Sequence, residues 1–127
     1  MEHDISSSSL NGNDMRVLVA LLEKGVTNLS GLKGAVANQV TRKSTVLKLA
    51  EMGLVEYDLI ADTHLCYKVN LTDLGIQIAA LHALGQECLS GNLDLENDSV
   101  DERARLLIAE TKSKIRAADK SADKGIR

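Results

Sequence analysis

The stretch KLAEMGLVEYDLIADTHLCYKVNLTDLG, residues 48–75, sets the tightest limit on what this chain can fold into. A helical segment stops at Gly53, because glycine tolerates the left-handed geometry that ends helices. "LVEYDLI" (54–60) and "LCYKVNL" (65–71) follow, rich in β-branched, aromatic and aliphatic residues, as strands are. "ADTH" (61–64) joins them as a turn. Thr72 then offers its hydroxyl as the N-cap of "DLGIQIAALHALGQE" (73–87). Residues 54–71 therefore form a hairpin held between two helices.

Two more helical segments precede this unit. Asn13 is positioned to cap "DMRVLVALLEKG" (14–25), with Asp14 at the positive end, Lys24 at the negative end and Gly25 as the stop. Met15, Leu18, Leu21 and Leu22 recur at helical spacing, and Val17 and Val19 widen that face. "VTNLSGLKGAVA" (26–37) reads as a short second helix capped by Thr27, Asn28 or Ser30, with Leu29, Leu32 and Val36 on its buried side. Gly31 and Gly34 each lower helix propensity by about 1 kcal/mol relative to Ala, so tertiary packing has to hold this segment. A third helix spans about 39–52, with Val46, Leu49 and Ala50 as its inner stripe.

The chain has no Phe, Trp or Pro, so its core must come from Leu, Val, Ile and Ala, a composition that favours helices. Apolar residues make up 44% of the sequence, enough for a core. The apolar run "VLVALL" (17–22) falls far short of the ~20 residues a membrane span needs, so no membrane partner is expected. Residues 1–12 are polar and Ser-rich, lack the basic start and apolar stretch of a signal peptide, and read as a disordered tail. A cytoplasmic location follows as the expectation. Cys66 and Cys88 have no metal-ligand spacing and read as two reduced thiols rather than a redox sensor.

Net charge is -3, but it is unevenly placed. Residues 14–87 carry seven basic and eight acidic side chains, and residues 88–127 carry eight of each. A nucleic-acid footprint on such a body has to be a local patch. No Gly-rich phosphate loop, HExxH or nucleophile with a spaced His and acid is present, so no enzyme and no cofactor are expected.

Beyond residue 88 the periodicity breaks, and 89–98 reads as a linker. Asp94, Glu96 and Asp98 alternate as in a calcium loop, but Ser99 and Arg105 stand where Gly and Glu are needed, so that reading is rejected. Ser99 and Glu102 satisfy a capping box for a last helix over 99–119, and 120–127 is expected to fray. Ala104, Ile108, Thr111, Ile115 and Ala118, flanked by Leu107, form a short apolar stripe on it. A body with four helices already in place leaves that stripe to pair with the first or fourth helix of a second copy, the alternative being that it folds back on the first helix of its own chain. The pairing with a second copy is the expected homodimer contact.

The order helix, helix, helix, hairpin, helix is that of a winged helix-turn-helix. "KLAEMGLVEY" resembles the recognition-helix end and first wing strand of MarR-type transcriptional regulators, and "VNLTDLG" resembles their second wing strand leading into the next helix. The resemblance covers residues 13 to about 87 and implies a mainly α fold with a small β-hairpin and a C-terminal dimerisation helix. It also implies a regulator that binds double-stranded DNA sequence-specifically, with residues 39–52 in the major groove and the wing 54–71 on the backbone. A small-molecule effector is possible by the same resemblance.

With Val46, Leu49 and Ala50 inward, helical geometry turns Thr41, Ser44, Thr45 and Lys48 outward, with Arg42 and Lys43 flanking the first turn. The expected DNA-binding residues are therefore Gln39, Thr41, Arg42, Lys43, Ser44, Thr45 and Lys48, joined on the wing by His64 and Lys68. A charge cluster on a helix is most often only a solvated face, and the winged-helix order is what shifts the reading. Asp58 and Asp62 make the wing acidic, and this motivates a competing expectation: a winged helix used as a protein-interaction module.

Overall fold

The structure is a computed structural model that describes residues 9–60 and 63–126; the side chains of 59–67 and 119–126 lie outside the description. The elements are α1 (Gly12–Lys24), β1 (Val26–Thr27), a 3-10 turn (Ser30–Leu32), α2 (Gln39–Glu51), β2 (Val55–Ile60), β3 (Thr63–Leu71), α3 (Asp73–Leu89) and α4 (Val100–Ile126). The expected fold class is the one observed, mainly helical with a small antiparallel β element. The sheet has three strands in the order β1-β3-β2. Sequence alone did not reveal β1, because two residues are too few for a periodic signal. The turn at Gly25 (φ 80°) aims β1 at β3, where Val26 pairs with Asn70 and Thr27 with Val69.

The cap of α1 is Asn11 rather than Asn13. Asn11 Oδ1 accepts from Asp14 N and Asp14 Oδ2 accepts from Asn11 N, both at 2.9 Å, a capping box that Asn13 cannot build. Asn13 instead accepts a hydrogen bond from the Arg16 guanidinium. In place of the expected short second helix there is only the 3-10 turn, with Leu29 at its N-cap position, and Asn28 Oδ1 accepts from Gly31 N at 2.9 Å. Leu32 and Val36 are buried there, as their spacing implied.

Helix α2 opens on Asn38, which accepts from Thr41 N at 2.9 Å. It closes as a Schellman turn at Gly53 (φ 79°), with Leu54 N donating to Leu49 O and Gly53 N to Ala50 O. The hairpin pairs Val55 with Leu71, Tyr57 with Val69 and Asp58 with Lys68, which sets opposite charges across the strands. Strand β3 begins at Thr63, ahead of the expected Leu65. The "LTDLG" signature then has a physical meaning. Thr72 Oγ1 accepts from Gly75 N (3.0 Å) and donates to Gly53 O (2.6 Å). A Cβ on Gly75 would sit 1.9 Å from Leu54 O, so only glycine lets α3 start this close to the end of α2.

Helix α3 runs past the expected boundary to Leu89 and ends in a second Schellman turn at Gly91 (φ 81°). The linker is anchored by buried Leu93. Its carboxylates are engaged locally, Asp94 Oδ1 accepting from Glu96 N (3.0 Å) and Asp98 Oδ2 from Asp94 N (2.8 Å). Helix α4 continues to Ile126, beyond the expected fraying point.

The position of α4 corrects the expectation that its stripe lacks cover in its own chain. Ile108 and Ile115 pack on the core formed by α1, α2, α3 and the sheet, and Thr111 is buried. The reason is the C-terminus of α1, whose last carbonyls have no donors within the helix. Thr111 Oγ1 reaches Leu22 O (3.2 Å) and its own Leu107 O (2.9 Å), and Lys114 Nζ donates to Glu23 O at 2.6 Å. Ala104, Leu107 and Ala118 are half-buried beside them.

Candidate nucleic-acid interface

Residues 24–50 contain Lys24, Lys33, Arg42, Lys43 and Lys48 and no Asp or Glu, a basic island in an acidic chain. This island runs from the last residue of α1 through the 3-10 turn to α2. The structure then sorts its side chains in a way charge alone did not reveal.

Arg42 is not on the surface. It is 5% exposed, and its guanidinium donates to Leu29 O (3.4 Å) and Ala37 O (3.2 Å). Its Nε is buried without a hydrogen-bond partner among the described residues. Arg42 therefore fastens α2 to the turn before it and is removed from the expected base-reading set. Thr45 is also buried, its hydroxyl donating to Thr41 O at 2.7 Å. Lys48 is turned toward α1, where its ammonium meets Asp14 Oδ2 at 2.6 Å; the Lys48 side chain is 38% exposed and that of Asp14 only 1%. Lys48 thus ties α2 to the first turn of α1.

The buried stripe of α2 is Arg42, Thr45, Val46 and Leu49. Its outward face is Gln39, Val40, Lys43, Ser44 and Leu47, which line one shallow depression. This face is rotated by about one residue step, roughly 100°, from the expected one. Gln39, Lys43 and Ser44 are brought together as anticipated, and Thr41 is half-buried at the edge, its carbonyl accepting from Ser44 Oγ at 3.0 Å. Val40 (78% exposed) and Leu47 (37% exposed) were missed. The signal that finds them is the spacing 42/45/46/49. Admitting an arginine to the buried stripe puts 40, 43, 44 and 47 outside.

On the wing, Lys68 lies on β3 opposite Asp58. The side chains of His64 and Cys66, and the whole of Asp62, lie outside the described residues. Cys88 is a half-buried free thiol on α3. Among the described residues no group of three His, Cys, Asp or Glu side chains is placed to hold a metal ion, and no helix is long and apolar enough to cross a membrane.

No family model matches the sequence, and comparison with curated proteins finds no match. Solved structures do match in shape. FabT of Streptococcus pneumoniae, determined in complex with DNA, superposes with a TM-score of 0.59 at 15% identity, over 87% of this chain and 78% of that one. NMB1585, a MarR family regulator of Neisseria meningitidis, gives 0.58 at 20% identity over 97% and 86%. BpsR of Bordetella bronchiseptica, whose DNA binding is regulated by 6-hydroxynicotinic acid, gives 0.57 at 19% identity over 84% and 80%. The chain thus has the winged-helix fold seen in MarR-type regulators.

Proposed function

We propose that this winged helix is a sequence-specific double-stranded DNA-binding transcriptional regulator of the cytoplasm, not an enzyme, and that α2 is its recognition helix. One observation carries the reading. The helix-turn-helix is fixed internally by Arg42 and by the Lys48–Asp14 pair, while Gln39, Lys43 and Ser44 are left on an outward face in a segment free of carboxylates. Amide, ammonium and hydroxyl groups are the donors and acceptors that read base edges and phosphates. Thr41 borders that face, and Lys68 on β3 is the wing's candidate backbone contact.

The reading includes a homodimer, since two winged helices about one DNA turn apart double the site. We place the contact elsewhere than on the α4 stripe. Because the α4 stripe is covered by α1 and α3 of its own chain, the candidates for contact with a second copy are the exposed Leu81 and Leu89 of α3 and Leu106 of α4. A small effector would be accommodated in the groove of about 480 Å³ between α1, the 3-10 turn and α3, floored by Val19, Ala20 and Ala35 and rimmed by Arg16, Glu23 and His82.

A gel-shift titration against genomic fragments at low salt tests the central reading. Discrete complexes with a subset of fragments are expected. Uniform binding no tighter than the ~10⁻⁴ to 10⁻⁶ M of non-specific association removes it. The acidic residues Glu56 and Asp58 of β2 favour the alternative, a protein-interaction module, which predicts partner capture that survives loss of Lys43.

A further inference from the structure

The outward face of α2 carries two large apolar side chains that the described residues leave exposed, Val40 at 78% and Leu47 at 37%. Val40 and Leu47 are seven residues apart, two helical turns, with Lys43 and Ser44 between them. They lie nearly opposite the buried stripe at 42/45/46/49, so the packing that buries Val46 and Leu49 keeps both outside. An exposed aliphatic pair is a poor choice for a solvated face and a poor choice for phosphate contact. It suits the one apolar group displayed in the major groove, the C5-methyl of thymine.

We infer that Val40 and Leu47 are specificity-determining residues that pack on thymine methyl groups of the operator half-site. The inference rests on the DNA-binding reading above and deepens it. Charge favours this occupant over an apolar protein surface. Lys43 lies between the two side chains, residues 24–50 contain no carboxylate, and Gln39 and Ser44 supply hydrogen-bonding groups at the rim. A protein groove that buried this face would have to strip water from Lys43, whereas the major groove surrounds it with phosphates and acceptor atoms. The spacing adds a geometric consequence. Seven residues at 1.5 Å rise separate the two side chains by about 10 Å along the helix. At 3.4 Å per base along a strand this is about three base pairs for a helix lying along the groove. The half-site should therefore contain two T·A pairs about three positions apart.

The test is deletion of single methyl groups from the DNA. Duplexes are selected from a random library with the full chain. Each thymine of the enriched half-site is then replaced by deoxyuridine, which removes only the C5-methyl. Two positions about three base pairs apart should each lose about four-fold in affinity, the equivalent of one buried methyl, and the others should lose nothing. In Val40→Ala one of the two positions should become indifferent to deoxyuridine, and in Leu47→Ala the other should. Both variants should keep the wild-type circular dichroism and melting temperature, since neither side chain is part of the core. Enrichment of duplexes whose affinity ignores every methyl deletion overturns the inference and leaves the DNA reading standing. Failure to enrich any duplex removes both.

Discussion

Gly25 is where the packing of α4 can be weighed most cleanly. Its φ of 80° and ψ of -73° match the strained γ-turn, which a residue with a Cβ adopts at a cost of roughly 1–3 kcal/mol. A Cβ there would also lie 2.6 Å from Lys114 Cβ and 3.3 Å from the Lys114 carbonyl carbon. Carbon atoms in contact need about 3.5–4.0 Å, so α4 would have to retreat by roughly 1 Å. That retreat strains the hydrogen bonds from Thr111 to Leu22 O and from Lys114 to Glu23 O, each worth about 1 kcal/mol net. Gly53 is the internal control, since it has a φ of 79° but nothing within 4 Å of its would-be Cβ. Gly53→Ala should destabilise by about 1 kcal/mol and Gly25→Ala by about 3 kcal/mol, the difference combining the costlier γ-turn backbone with the α4 contact. Urea unfolding followed by circular dichroism, with all variants at one protein concentration, measures both. Equal shifts for the two variants would refute the docking of α4 on its own α1.

Arg42→Ala should cost about 2–4 kcal/mol of stability, because it empties a buried site and orphans Leu29 O and Ala37 O; an unchanged melting temperature with lost DNA binding would return Arg42 to the surface. Asp14→Asn and Lys48→Met should show a coupling of about 1 kcal/mol in a double-mutant cycle, discounted for the exposed lysine, and additive effects would argue against the pair. Lys43→Ala should weaken DNA binding and lower the slope of log affinity against log salt by about one, with stability unchanged; an unaltered slope removes its phosphate or base contact. Cys88→Ser should bind DNA equally in reductant and in peroxide, and so should the wild type, since one half-buried thiol on α3 is read as structural.

Much of this architecture was readable from residue patterns that report local geometry. Gly53, Thr72 and Gly75 each announce a backbone event, and all three lie where that event occurs. The hairpin followed from the density of β-formers in 54–60 and 65–71. What stayed hidden was decided by tertiary contacts. Strand β1 exists only because Asn70 and Val69 are there to pair with it. Arg42 looked like a surface cation, and only the carbonyls of Leu29 and Ala37 make its burial sensible. That single misplacement rotated the inferred outward face and concealed Val40 and Leu47. The α4 stripe was correctly seen as apolar, but sequence could not say whose helix it covers. The answer came from the unsatisfied end of α1, which needs Thr111 and Lys114.

The most direct test of α2 as a recognition helix is a fluorescence anisotropy comparison at physiological salt. The wild type and the Lys43→Ala, Ser44→Ala double variant are each titrated against a selected duplex and a scrambled duplex of the same composition. The wild type should prefer the selected duplex by roughly a thousand-fold or more. The double variant should lose most of that preference while unfolding at the same urea concentration as the wild type. Equal affinity of the wild type for both duplexes, or a preference untouched by the double substitution, would contradict the assignment.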